Sequence, residues 1–262
     1  MTVRTWEAYA MRYATVKRKR NENFIAYDPH DEATNMDYFV WFLKSDSETI
    51  LVDTGFNALA AKARGRTFLR CPIQSLKSAG IALEDIKDTV ITHAHYDHAG
   101  NTELLPATRF HMQEREMHYA TGKHMRHDFC NHAYDANDIC HLIHANYEKR
   151  VQFEDGDYEL RSGITVHWVG GHTMGLQIVR VHTKRGWIVL TSDASHYLEN
   201  FKKRSPFPIV VNTLNMLEGY ELIEKLADSE QHVIAGHDPL MRELYKPVDS
   251  KNLEIYSLID PL

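Results

Sequence analysis

The stretch TVITHAHYDHAGN, residues 89–101, decides the reading of this chain. Thr89, Val90, Ile91 and Thr92 are β-branched throughout, the pattern of a short buried strand. The next six residues supply His93, His95, Asp97 and His98. Three imidazoles and a carboxylate crowded at a strand end need partners, because burying polar groups without them is costly. A metal satisfies all four, and imidazole nitrogen with carboxylate oxygen suits zinc, and also iron, manganese or cobalt. On an extended segment His93 and His95 face one side. Asp97 and His98 follow a turn of the chain and can face a second point nearby. That geometry suits two metals rather than one.

Upstream, YFVWFLK, SDSE and TILVD read as two buried strands joined by a polar turn. A helical stretch is expected from about Asn57 to Gly80. Downstream, DYELRSGITVHWV looks like a hairpin turned at Ser162-Gly163, and LQIVRVH, TKRG and WIVLTSD form strand, turn and strand. TLNMLEGYELIEKLA (213–227) has helical periodicity, and HVIAGHD is a short strand running into a loop. The whole chain, 1–262, is expected to be one domain. Within it, 1–34 reads as a polar N-terminal extension with a solvated basic run at Lys17, Arg18, Lys19 and Arg20. Residues 112–150 read as a polar, His-rich helical insert near the active site. The hairpins at 38–55 and 176–194 echo each other, each ending in an aspartate followed by a small residue, Asp53 and Asp193. They suggest two similar sheets with chemistry where they meet.

Composition narrows the classes. Thirty basic against 36 acidic residues give a net charge of −6, which opposes a nucleic-acid partner. Three cysteines at no framework spacing argue against a disulfide scaffold. The N-terminus shows no signal-peptide pattern, and the apolar runs are strand-length, far short of a membrane span. The expectation is a cytoplasmic protein with no membrane partner. A homodimer is left open by the sequence.

His93-Ala94-His95-Tyr96-Asp97-His98 resembles the H-x-H-x-D-H signature of the metallo-β-lactamase superfamily. The resemblance implies an α+β four-layer αββα sandwich, two mixed sheets flanked by helices, with a metal site along one edge. It asks for a further His, an Asp and a final His; His172 in VGGHTMG, Asp193 in LTSDAS and His237 in IAGHDP meet the request. Carried over residue by residue, His93, His95 and His172 would hold one metal, and Asp97, His98 and His237 the other. Asp193 would bridge both. Asp53 in ILVDTG would orient a ligand rather than hold a metal. The remaining histidines between His111 and His144 have no match and read as solvated helical residues.

Within the superfamily the chain looks most like the N-acyl homoserine lactonase group. The supports are the bridging Asp193, the gaps of 21 residues from His172 to Asp193 and 44 on to His237, the polar insert, and SDASHYLEN at 192–200. The true β-lactamases typically lack the bridging Asp. Two departures stand out. Met174 and Leu176 occupy positions that are Pro and His in many members, and His196 precedes Tyr197 where the best-known lactonases have a Tyr. Asp97, His196 and Tyr197 are the candidate catalytic residues, with the choice between His196 and Tyr197 open. The expected activity is hydrolysis of a small-molecule lactone or ester by a metal-bridging hydroxide, formed because metals lower the pKa of water from 15.7 to about 7. A glyoxalase II-like thioesterase is the alternative, and a non-catalytic metal-binding protein the alternative of another class.

Overall fold

The computed structural model describes residues 3–26, 28–248 and 251–262. Its layering is visible in one strand, Ala33–Lys44, which is buried at every position from Met36 to Leu43. Successive strand side chains point to opposite faces. Tyr38, Val40 and Phe42 accordingly enter one apolar cluster, while Phe39, Trp41 and Leu43 enter another. An unbroken apolar run thus marks a sheet covered on both sides.

That strand is β2 of a nine-stranded sheet. Across the sheet run β13 (Tyr245–Pro247), β14 (Ile255–Pro261), β1 (Glu7–Lys19), β2, β3 (Thr49–Val52), β5 (Ile86–Val90), β6 (Arg109–Gln113) and β7 (Val151–Glu154). The short β4 (Thr67–Phe68) adds to β1. From β3 to β7 the pairing is parallel, and elsewhere it is antiparallel. The second sheet has the order β12 (Val233–Ile234), β11 (Gly186–Leu190), β10 (Gln177–Thr183), β9 (Ile164–Trp168) and β8 (Tyr158–Arg161). Only its β11–β12 pair is parallel.

Trp41 and Val52 meet Val166, Val181 and Ile188 between the two sheets. Helices α1 (Ala58–Ala63), α2 (Pro72–Ser78), α4 (Glu114–Ala120) and α6 (Ala136–Tyr147) send Ala61, Leu76, Met117 and Leu142 into the outer face of the first sheet. On the far side α8 (Thr213–Leu226) packs Tyr220 and Ile223 against Ile178 and Val189. The result is the four-layer αββα sandwich. Three short helices, α3 (Tyr96–Ala99), α5 (Asp128–Asn131) and α7 (Leu198–Lys203), lie in the connections. Among the described residues, no helix is long and apolar enough to cross a membrane.

Two expectations need correction. Residues 7–19 are not part of a polar extension; they form β1, flanked by β14 and β2 in the middle of the sheet. Ala8, Ala10, Met11, Tyr13 and Ala14 are buried, and a register shift between Arg12 and Ala14 interrupts the alternation that would have revealed the strand. The basic run is also only partly solvated. Strand alternation turns Lys17 and Lys19 outward and Arg18 inward, and Arg20, in the 3-10 turn that follows, pairs with Glu199 and Asp28. The helical stretch from Asn57 to Gly80 is really α1, β4 and α2. Gly65 takes a left-handed turn (φ 65°) after α1, and Pro72 restarts the helix at its first position. The segment 112–150 is largely helical, as expected.

Candidate metal centre

Each element delivers its functional side chain at the edge where the sheets face each other. Beyond β5, the backbone N–H of Thr92 donates to Asp53 Oδ1 at 2.8 Å, and its hydroxyl donates to Asp53 Oδ2 at 2.9 Å. This fixes the turn carrying His93 and His95, after which α3 supplies Asp97 and His98. His172 follows Gly170 and Gly171, both left-handed, in the β9–β10 connection. Asp193 sits in a 3-10 turn directly after β11, and His237 follows β12. Gly236 is required for close approach: a Cβ there would lie 2.5 Å from the carbonyl oxygen of Ser192.

The seven residues proposed from the sequence converge, and they are all buried. His95 Nδ1 lies 3.0 Å from both His93 Nε2 and His172 Nε2. Asp193 Oδ2 faces His172 Nε2 at 3.0 Å and His93 Nε2 at 3.7 Å. Its other oxygen, Oδ1, faces His237 Nε2 at 3.0 Å and His98 Nε2 at 3.2 Å. Asp97 Oδ2 is 3.8 Å from both of those imidazole nitrogens. One carboxylate oxygen thus addresses each set.

Outer partners decide which nitrogen of each ring faces inward. The Nδ1–H groups of His172 and His237 donate to the carbonyls of Ile209 (2.7 Å) and Asp37 (2.9 Å). His98 Nδ1–H donates to Asp53 Oδ2 at 2.7 Å, and His93 Nδ1 meets the Thr92 hydroxyl oxygen at 3.2 Å. Four histidines therefore present Nε2 lone pairs to the centre, a pattern in which outer hydrogen bonds orient metal ligands. His98 Nε2 is buried without a hydrogen bond. The donor separations of 3.0–3.8 Å bracket the edge of about 3.3 Å expected of a tetrahedron with zinc–nitrogen bonds near 2.0–2.1 Å. The donor set fits two metal ions.

Burial and neighbouring charges act differently on the two sets. Burial, reinforced by neighbouring imidazoles, holds His93 and His95 well below the usual histidine range, so both are neutral. Burial opposes ionisation of Asp193, but the surrounding histidines hold its carboxyl well below the usual range. For His98 burial again opposes the charge, and Asp193, Asp53 and Asp97 outweigh it.

His196 and Tyr197 separate cleanly. The 3-10 turn ends at Ala194, and the extended Ser195 after it brings His196 back beside Asp193. Its Nε2 lies 3.0 Å from Asp193 Oδ2, and its ring stacks on Phe207 with centroids 3.9 Å apart. Burial pushes its pKa down to about 3, and its Nδ1 is buried with no hydrogen bond. Tyr197 turns away and donates its hydroxyl to the Asn35 carbonyl at 3.1 Å, which corrects the expectation that it shares the site. Among the described residues the other histidines join no cluster of potential metal ligands.

Glu116 was missed by sequence reasoning. It is fully buried, and its two oxygens accept from the N–H groups of Ala94 (3.0 Å) and Gly175 (2.8 Å) and from the Tyr134 hydroxyl (2.9 Å). One carboxylate thereby ties the His93–His95 turn to the His172 loop. Its partners are backbone groups far away in the chain, so no sequence motif announces it.

Two cavities open on the cluster. One, about 250 Å³, is lined mainly by Tyr119, Phe129, Tyr134, Ile209, Val210 and Val211, with His95 and His172 at its floor. The other, about 70 Å³, runs past Asp97, Asp193 and His196 to Arg18, Arg64 and Arg66.

This fold and donor set define a metal-dependent hydrolase scaffold. The chain belongs to the metallo-beta-lactamase superfamily, whose family model matches residues 34–246. It is 28% identical over 219 residues to the N-acyl homoserine lactonase AiiA of Bacillus thuringiensis subsp. kurstaki, spanning 78% of this chain and 82% of that protein. Among solved structures it resembles an N-acyl homoserine lactone hydrolase with the product N-hexanoyl-L-homoserine at its catalytic metal centre. That likeness has a TM-score of 0.76 and 23% identity, over 93% of this chain and 96% of the other. It also resembles AidC, a dizinc quorum-quenching lactonase, with a TM-score of 0.70 and 17% identity over 91% and 90% of the two chains.

Proposed function

We propose that this protein is a metal-dependent hydrolase that opens lactone rings, with N-acyl homoserine lactones as the first substrates to test. The carrying observation is a complete seven-residue donor set, shared through Asp193, in a chain whose 28%-identical relative is an N-acyl homoserine lactonase. In this reading His93, His95 and His172 hold one metal, Asp97, His98 and His237 the other, and Asp193 both. Zinc suits the donors, as do iron, manganese and cobalt. Two such ions supply Lewis acidity and a water acidic enough to be a nucleophile near neutral pH.

The chain's own residues do the rest. Asp53, the Thr92 hydroxyl and the carbonyls of Ile209 and Asp37 keep four imidazoles in the ligating tautomer. The apolar cavity excludes water from the acyl part of the substrate. His196, rather than Tyr197, hydrogen-bonds the reacting oxygens. His196→Ala is expected to lower kcat by about 10²–10⁴, the range of general acid–base help, with metal content unchanged.

A pH-stat reads the reaction directly. Metal-loaded protein is expected to release acid from N-acyl homoserine lactones with kcat/KM above about 10⁴ M⁻¹s⁻¹. Comparable activity on glutathione thioesters with lactones inert overturns the reading in favour of a thioesterase. Inertness towards every ester, thioester and lactone assigns the chain a metal-binding role without catalysis.

A further inference from the structure

Two of the guanidiniums lining the smaller cavity form no ion pair among the described residues. Arg64 donates to the carbonyls of His132 (2.6 Å) and Tyr134 (2.9 Å), and its guanidinium lies 3.9 Å from the Tyr96 ring centroid. Arg66 donates to the Tyr96 hydroxyl (3.1 Å) and to the Arg64 carbonyl (2.9 Å). All of these acceptors are neutral. Among the described residues no carboxylate lies within 4.0 Å of either head group, whereas Arg12, Arg20, Arg70 and Arg161 all reach one. Arg180 and Arg185 also end on carbonyls, but they do not line this cavity.

An arginine carries five N–H donors, so four of the pair's ten are committed and the rest remain for a ligand. The head groups are nevertheless held in place, which removes much of the cost of ordering them. Their charge is not needed to balance the metal centre, because two divalent cations already exceed the charges of Asp97 and Asp193. In a chain of net charge −6, two guanidiniums without an ion pair beside a cationic centre form a local positive field. Such a field attracts an anion, and the planar guanidinium fork matches a carboxylate.

We propose that Arg64 and Arg66 form an anion-binding subsite at the mouth of the metal centre, and that the substrate is a lactone bearing a carboxylate a few bonds from its ring. The proposal rests on the lactonase reading and narrows it, since a simple N-acyl homoserine lactone is uncharged. The apolar remainder of the substrate occupies the larger cavity, which meets the arginine-lined one at His95, His132 and Ile209.

The test uses two probes differing only in charge: N-succinyl-homoserine lactone and its methyl ester. Metal-loaded protein is expected to favour the free carboxylate by about 10- to 100-fold in kcat/KM, chiefly through KM, as a charge-assisted hydrogen bond allows. The preference shrinks in high salt. In an Arg64→Gln/Arg66→Gln variant of unchanged metal content, the ratio of the two probes falls towards one. A second readout is calorimetric binding of the two ring-opened products, for which the same preference and the same loss are expected. A wild-type protein that favours the methyl ester overturns the proposal, as does a ratio that survives in the double variant. If neither lactone reacts, the lactone reading has failed, and the product-binding comparison alone decides whether the arginines select a carboxylate.

Discussion

Asp53 and Asp193 end two hairpins of the same design and do opposite work. Both are fully buried beside left-handed backbone, at Asp53 itself (φ 64°) and at Ser192 (φ 45°). Asp53 is saturated by the Thr92 N–H, the Thr92 hydroxyl and one outward-facing nitrogen of His98. Asp193 has imidazole nitrogens against both oxygens and, among the described residues, no backbone N–H. Burial leaves the Asp53 carboxyl above its usual range, whereas the histidines hold Asp193 well below it. The lesson is that a carboxylate's partners, rather than its place in a hairpin, decide whether it aims a ligand or is one.

The largest effect should come from Asp193→Asn, since an amide offers only one acceptor oxygen to two donor sets. Elemental analysis is expected to fall from about two metals per chain to fewer than one. Asp53→Asn should be milder, costing about 10–100-fold in metal affinity or activity, as loss of an outer partner does. Competition with a chelator measures it, and an Asp53 variant as damaged as the Asp193 one would erase the distinction. Glu116→Gln tests a third buried carboxylate, one that touches no ligand side chain. Losing an acceptor for Ala94 or Gly175 is expected to cost about 1–3 kcal/mol in urea denaturation.

The smallest effect is expected at Asp138 in α6, a carboxylate with no hydrogen bond or ion pair among the described residues. Burial, aided by Asp135 and Glu103, pushes its pKa up to about 7. Its proton is therefore bound more tightly in the folded state than in the unfolded one, where the pKa is about 3.9. Its contribution to stability declines as pH rises from about 4 to about 7. Asp138→Asn should raise the thermal midpoint at pH 8 and leave it nearly unchanged at pH 4. An equal shift at both values would contradict this account.

Most of the metal centre was legible because its chemistry is spelled in side chains at strand ends. The two-faced burial of Tyr38–Leu43 likewise shows in composition. β1 was hidden for a physical reason: its buried residues include small alanines, a bulge breaks their alternation, and its far end at Lys17 and Lys19 is exposed and basic. Choosing between His196 and Tyr197 required the backbone path from the 3-10 turn through the extended Ser195, which has no hydrophobic period. Glu116 and Arg64 act through backbone groups remote in sequence, and such partners leave no pattern to read.

The place of β1 also has a consequence for how the molecule assembles. One side of β1 pairs with its neighbour in sequence, β2, but the other waits for β14, with Tyr9 set opposite Ser257 roughly 250 positions away. Closing so long a loop is slow, and until it closes β1 presents part of an open hydrogen-bonding edge. During synthesis this edge stays unpaired until β14 has emerged. Chains not yet extended to β14 therefore carry a ready template for pairing with one another, and β14 is the strand that removes it.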